Sequence, residues 1–193
     1  MVGATFLAPC TMQTDTQLVE VRVTAFVDGS DQHRQPSTEL VYLARCDLGW
    51  GVFAATDIAV GAQILMLTGP IISTAQAIAK GERQGDPLQI GHDRYIDLDL
   101  PGVFLNHSCE PNTAITDDRL LVALRHIHRH DELRFDYSTT MSGDGWTMAC
   151  RCGVKGCRRT IGNFEFLPHD LQRQYIERKI VQPFIRKRHV QFA

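Results

Sequence analysis

A mainly β fold with few, short helices is the class that this 193-residue sequence predicts. Short runs rich in β-branched and aromatic residues recur from residue 18 onward, separated by Gly, Pro, Asp and Asn. A good helical period appears only after residue 168. Strands and helices do not alternate, and no G-x-G-x-x-G follows a strand, which argues against a doubly wound sheet and its dinucleotide site.

The elements follow in order. Residues 1 to 16 are aperiodic after a short apolar patch and read as an arm. Leu18 to Val23 alternates and reads as a strand; Asp28 to Thr38, with Gly29 and Pro36, reads as a loop. Glu39 to Arg45, Gly51 to Ala55 and Ala62 to Leu67 are predicted strands, the last two joined by a turn at Asp57 to Gly61. Ser73 or Thr74 caps a short helix. Arg94 to Leu98 and Leu120 to Leu124 are further strands. Pro168 to Arg178 is the best helix, with Leu171, Tyr175 and Ile176 on one face, and Pro183 limits it.

Composition narrows the function classes. A 44% apolar and 22% charged chain is ordinary for a globular domain, and a net charge of −2 carries no global basic field for nucleic acid. Arg186-Lys187-Arg188-His189 reads as a solvated helix end, so no direct nucleic-acid binding is expected. No run of 18 apolar residues predicts a membrane span, and the N-terminus has no signal-peptide pattern. Six cysteines in a chain of this size do not suggest a disulfide scaffold. Thiolate ligands would imply a reducing compartment, cytoplasmic or, in a eukaryote, nuclear.

Cys150, Cys152 and Cys157, at C-x-C-x4-C spacing, are three arms of a tetrahedral site. Cys109, inside the polar turn Asn106-His107-Ser108-Cys109, is the obvious fourth. One structural zinc ion held there would pin the C-terminal segment against the Asn-His turn. Four thiolates close its coordination and leave no position for a catalytic water. Cys46 reads as a buried strand residue and Cys10 as a loop thiol.

Taken together, Gly49-Trp50-Gly51-Val52-Phe53, Asn106 to Asn112, Asp131 to Tyr137 and the cysteine cluster resemble the SET-domain protein methyltransferases, with their cysteine-rich post-SET segment. The four motifs occur in the family's order across roughly residues 40 to 162. The resemblance implies the SET fold, small curved sheets around a pseudoknot, over residues 17–147. A post-SET zinc segment over 148–162 and a helical segment over 163–193 would follow. It implies S-adenosylmethionine as methyl donor, held by Gly49, Trp50, Gly51, Asn106 and His107, and a protein substrate bearing a lysine.

Tyr137 is the expected catalytic residue and a further cofactor contact. Methyl transfer from a sulfonium to an amine is an in-line displacement that needs alignment and a neutral amine. Free lysine has a pKa of about 10.4, so it must first lose a proton. A tyrosine hydroxyl can orient the amine. Phe135 aligns with the family position that tunes how many methyls fit, which suggests di- or trimethylation. Read without the family, the same residues are also consistent with a turn, a satisfied Asn-His pair and a core tyrosine.

The pattern departs from the family in places. Leu67-Thr68-Gly69-Pro70 stands where the family has Tyr-x-Gly-Glu, so the tyrosine that helps line the amine site is missing; Tyr95 is the candidate replacement. Pro-Gly-Val-Phe-Leu replaces the common Asn-x-Ala-Arg-Phe before Asn106, and no cysteine-rich pre-SET region precedes the first motif. A compact stand-alone form is expected. Two other readings stay open: a methyltransferase for a small-molecule amine, and a non-catalytic SET-like scaffold. Trp146 and Met148 are expected to pack under the cysteine cluster, Asp136 to be buried on loop amides, and Phe164, Phe166 and Leu167 to close the pocket or, by preference, join the core.

Overall fold

The computed structural model describes residues 40–83, 85–143 and 145–190. The expected arm at 1–16, the strand at Leu18 to Val23, the loop at Asp28 to Thr38 and Cys10 lie outside the described residues.

The described chain is mainly β. An antiparallel hairpin of β1 (Val41–Cys46) and β2 (Gly49–Ala54) pairs Val41 with Ala54 and Cys46 with Gly49. Gly49 takes φ 107 at the turn, a conformation that favours glycine. Strand β3 (Gln63–Met66) pairs with β9 (Leu120–Ala123), which also pairs with β8 (Thr113–Thr116). A second three-stranded sheet has the order β4 (Ile71–Ile72), β6 (Arg94–Ile96), β5 (Leu88–Gly91). Strand β7 (Asn106–His107) lies parallel to β10 (Arg134–Phe135), and β11 (Thr147–Ala149) pairs with β12 (Thr160–Gly162). Five small sheets thus stand in place of one large one among the described residues.

The helices are short. Helix α1 (Thr74–Ile78) starts at Ser73, whose hydroxyl accepts from the Gln76 amide while the Gln76 side chain accepts from the Ser73 amide. This reciprocal capping box satisfies two amides that the first turn leaves unpaired. Helix α2 (His169–Glu177) buries Tyr175, with Leu171 and Ile176 beside it. Pro183 opens helix α3 (Pro183–Val190), because proline suits the first helical position, where no amide donor is needed. The basic run 186–189 lies on α3; Lys187 and Arg188 face solvent, whereas the His189 ring sits 5.0 Å from Phe164.

Two apolar clusters hold these pieces. The larger gathers Val52, Ile58, Ile64, Leu67, Ile96, Leu105, Ile115, Leu121, Ile127, Leu133 and Phe135 from the sheets. The smaller gathers Phe164, Leu167, Tyr175, Ile180, Val181 and Ile185 around α2 and α3. Phe166, in contrast, is 62% exposed and covers Gly162, so only two of the three residues expected in the core are there.

Strands β4, β5, β7, β8, β10, β11 and β12 and helix α3 went unread in the sequence. Phe164 has no exposure and anchors the smaller cluster. Phe164→Ala is expected to lower unfolding free energy by about 3–5 kcal/mol in urea titration, and a loss below about 1 kcal/mol would contradict this packing.

Candidate functional site

The site is built where β7 runs beside β10. The Ser108 amide donates to the Phe135 carbonyl at 3.0 Å, and the Asn112 amide to the Arg134 carbonyl at 3.2 Å. Buried Asn112 then acts as extra backbone: its Oδ1 accepts from the Arg134 amide and its Nδ2 donates to the Glu132 carbonyl, each at 2.8 Å. These bonds lock the Asn106–Asn112 turn to the Glu132–Tyr137 segment. Along that segment Leu133, Phe135 and Tyr137 belong to or pack against the larger core. Glu132, Arg134 and Asp136 alternate with them and engage polar groups.

Those three residues fasten the cysteine loop. The Glu132 carboxylate accepts from Asn106 Nδ2 at 2.7 Å and forms a buried ion pair with Arg134. Arg134 Nη1 donates to the Cys152 carbonyl at 3.1 Å. Asp136, fully buried, accepts both Arg158 nitrogens at 2.7 and 2.8 Å, the Tyr175 hydroxyl at 3.1 Å and the Ser138 amide at 3.1 Å. Its burial and amide bond match expectation; the sequence reading set Arg158 beside the thiolates and did not pair it with Asp136. Glu110 adds a clasp by accepting from the Gly156 amide at 3.0 Å. A Cβ at Gly156 would lie 2.8 Å from that carboxylate oxygen.

Three of the four cysteines expected at the metal site, Cys109, Cys150 and Cys152, lie close together. Ligand atoms of His107, Cys109, Cys150 and Cys152 all lie within 4.8 Å of one another. The Cys109 and Cys150 sulfurs are 3.8 Å apart, and the Cys157 sulfur accepts from the Arg159 amide at 3.4 Å. The set of mutually close ligands thus includes His107, which the sequence reading assigned elsewhere, and omits Cys157. Hydrogen bonding separates the roles. The Tyr137 amide donates to His107 Nδ1 at 3.2 Å, while Asp136 is 3.6 Å from that nitrogen, too far for a hydrogen bond. The ring proton is therefore on Nε2, which donates to Cys109 Sγ at 3.3 Å. Burial pulls the imidazole down to about 4, with Asp136 opposing, so it is neutral near pH 7 and has no free nitrogen to act as a base.

Burial lifts Cys109 to about 11 and pushes Cys150 up as well. Burial acts the same way on Cys152, but amide and thiol hydrogen bonds outweigh it and leave it at about 7. Sulfurs this close cannot all ionise without a cation between them, and thiolates suit zinc. The donor chemistry fits one structural zinc ion, with His107 as a hydrogen-bond donor to a ligand.

Two cavities meet at Tyr137. One, of about 450 Å³, is lined by Asn106, His107, Tyr137, Met148, Arg151 and Cys152, among others. The other, of about 380 Å³, is lined by Leu105, Phe135, Tyr137, Trp146 and Met148, and its charged lining residues, Glu82 and Asp86, are both acidic. Tyr137 and Met148 thus form a wall common to both. The Tyr137 hydroxyl donates to the Leu105 carbonyl at 2.8 Å, and its ring stands 4.9 Å from Phe135 and 5.3 Å from His107. Burial pushes its pKa well up, with Asp86 and Glu132 adding to the effect, so it stays protonated.

The other expected site residues are placed as follows. Trp50 packs against Phe104, carries the Arg45 guanidinium 4.5 Å from its ring centroid, and accepts from Asn106 Nδ2 at 3.0 Å through its carbonyl. Gly51 presses on Glu132, where a Cβ would come within 2.7 Å of the carboxylate. The Gly49-Trp50-Gly51 turn therefore abuts Asn106 without lining either cavity; Asp47 and Leu48, just before it, do line the larger one. Tyr95 is buried on β6 and lines neither, and Leu67 is buried in the core behind Gly102. Cys46 is half-buried, its sulfur 3.8 Å from Asn106 Nδ2. Trp146 lines the smaller cavity, and Met148, on β11 opposite Ile161 of β12, lines both.

Sequence reasoning gave no role to Glu132, Arg134, Glu110 or the acidic pair at the smaller cavity, and read Arg158 only as a positive charge beside the thiolates. The period-two alternation of Glu132, Arg134 and Asp136 with apolar residues was a legible signal for the first two. We expect the purified chain to hold one zinc ion per molecule by native mass spectrometry. Cys150→Ser and Cys152→Ser should lose it while His107→Gln keeps it, and loss in the histidine variant would make His107 a ligand.

Residues 49–138 match the SET domain family model. Histone-lysine N-methyltransferase trr of Drosophila melanogaster is 33% identical over 137 residues, covering 62% of this chain and 6% of that protein. Histone-lysine N-methyltransferase 2D of Homo sapiens is 31% identical over 150 residues, covering 67% of this chain and 3% of that protein. The chain thus corresponds to a small part of these much longer relatives. An inhibitor-bound humanized mutant of the Chaetomium thermophilum Polycomb Repressive Complex 2 aligns with TM-score 0.48 and 23% identity, covering 57% of this chain and 16% of that chain. Through residues 49–138, the chain belongs to the SET domain family.

Proposed function

We propose that the protein is an S-adenosylmethionine-dependent protein-lysine N-methyltransferase. The observation that carries this reading is Tyr137, on the wall between two cavities of different character. The larger, with Asn106, His107 and Arg151, has the size of a small-molecule site, typically about 300–1,000 Å³. The smaller combines the Phe135 and Trp146 rings with the carboxylates of Glu82 and Asp86, which suits the apolar stem and cationic head of a lysine. The names of the relatives support the same substrate class.

When bound, S-adenosylmethionine supplies an electrophilic methyl group on a sulfonium. Asn106, Glu132 and the Trp50 carbonyl form one fixed hydrogen-bonded unit beside that cavity, so its wall is set before any ligand arrives. Glu82 and Asp86 draw the ammonium form of the lysine toward the smaller cavity. The amine sheds its proton to solvent, since Tyr137 is already protonated and His107 is fully engaged. Tyr137, its proton committed to Leu105, presents oxygen lone pairs that orient the neutral amine for in-line attack. Phe135 places no hydroxyl near the amine and so leaves room for a second and third methyl. Thiolate zinc ligation fits a cytoplasmic or nuclear setting; among the described residues, no helix is long and apolar enough to cross a membrane.

The test is transfer of labelled methyl from S-adenosylmethionine into cell lysate. A labelled protein band is expected, and Tyr137→Phe should cut its rate about 10²–10³-fold without changing thermal unfolding. Label confined to the small-molecule fraction would give the pocket to a small amine instead. A folded, zinc-loaded protein that binds the methyl donor but labels nothing would contradict the proposal.

A further inference from the structure

On the face formed by residues 57 and 126–128, Ile58 and Ile127 form an isolated antiparallel bridge, with amide-to-carbonyl bonds of 2.8 and 3.0 Å in the two directions. Both isoleucines are buried in the larger core. Side chains alternate on extended backbone, so the residues flanking each isoleucine point outward. His126 and His128 therefore share the outer face, and Asp57 stands across from them. All three are exposed, and their ligand atoms lie within 4.8 Å of one another. The histidine rings are 4.6 Å apart, and His128 Nδ1 is 3.9 Å from Asp57 Oδ1.

The frame beneath them is fixed. The Arg129 amide donates to Asp57 Oδ1 at 2.8 Å, and the His128 amide donates to Asp131 Oδ2 at 3.0 Å. The first bond holds the carboxylate on the histidine side of the bridge. The third histidine of this His-x-His-x-His run, His130, is engaged elsewhere: its Nδ1 is 2.9 Å from the Tyr42 hydroxyl, and its backbone turns to φ 72.

We propose that Asp57, His126 and His128 form a second metal site, separate from the cysteine cluster, for a borderline divalent cation of the zinc class. Two imidazoles and one carboxylate suit zinc, nickel, cobalt and copper, whereas magnesium and calcium prefer all-oxygen shells. Three protein ligands on an open surface leave further coordination positions to water. Arg125 and Arg129 flank the pair in sequence and oppose a cation, which makes the site weaker than a thiolate site.

The protein holding its first zinc ion is titrated with zinc chloride in a calorimeter. Wild type and His130→Ala should each take up one further equivalent. The double variant His126→Ala/His128→Ala should lose that step, and Asp57→Asn should weaken it. Cobalt(II) added to the zinc-loaded protein should give ligand-field bands without sulfur charge-transfer absorption, and the double variant should lose them. Circular dichroism checks that each variant is folded. Absence of a second step in the wild type, or its persistence in the folded double variant, would overturn the proposal.

Discussion

Two buried arginine–carboxylate pairs join the cysteine-rich segment to the rest of the molecule. Arg134 connects Glu132 to the Cys152 carbonyl, and Arg158 connects the cysteine loop to Asp136. Each pair sits on a residue next to a site group: Glu132 holds Asn106, and Asp136 precedes Tyr137. Buried ion pairs gain little net stability over apolar packing, because desolvation offsets their attraction. Their role here is geometric. They allow one docking position for a loop with little apolar surface of its own.

That docking completes the larger cavity. Arg151 and Cys152 supply one side and Asn106 and His107 the other, with Tyr137 between them and the smaller cavity. His107 shows how closely the parts are linked, since one ring accepts from the Tyr137 amide and donates to Cys109. The cysteine cluster, the wall of the larger cavity and the proposed catalytic tyrosine therefore share one hydrogen-bonded chain. A metal that orders the cysteine loop would act on ligand binding by fixing this wall, without touching the reacting atoms.

Much of this was legible in the sequence, and the limits have physical causes. Strands with clear period two, such as β1 to β3, β6 and β9, were found, as was the Ser73 cap. Strands β7 and β10 are two residues long, too short for any period, and form only because distant segments pair in parallel. Pro183 was read as a stop when it opens a helix; the same missing amide serves both purposes. The convergence of Cys109, Cys150 and Cys152 followed from spacing and chemistry. The approach of His107 to them did not, because it depends on which ring nitrogen the Tyr137 amide meets. Tyr95 looked like a substitute for an absent tyrosine, but β6 turns it into the interior. The acidic pair Glu82 and Asp86 carried no motif and became visible only once the fold placed it beside Phe135 and Tyr137.

The most direct measurement is the affinity for S-adenosylmethionine by calorimetry, with zinc bound and after its removal by a chelator. A metal-ordered loop forming one wall of the larger cavity predicts tight binding with zinc and at least about ten-fold weaker binding without it. Equal affinity in the two states, with the metal-free protein still folded, would contradict the account, because the cofactor would then bind without the wall that the cysteine loop supplies.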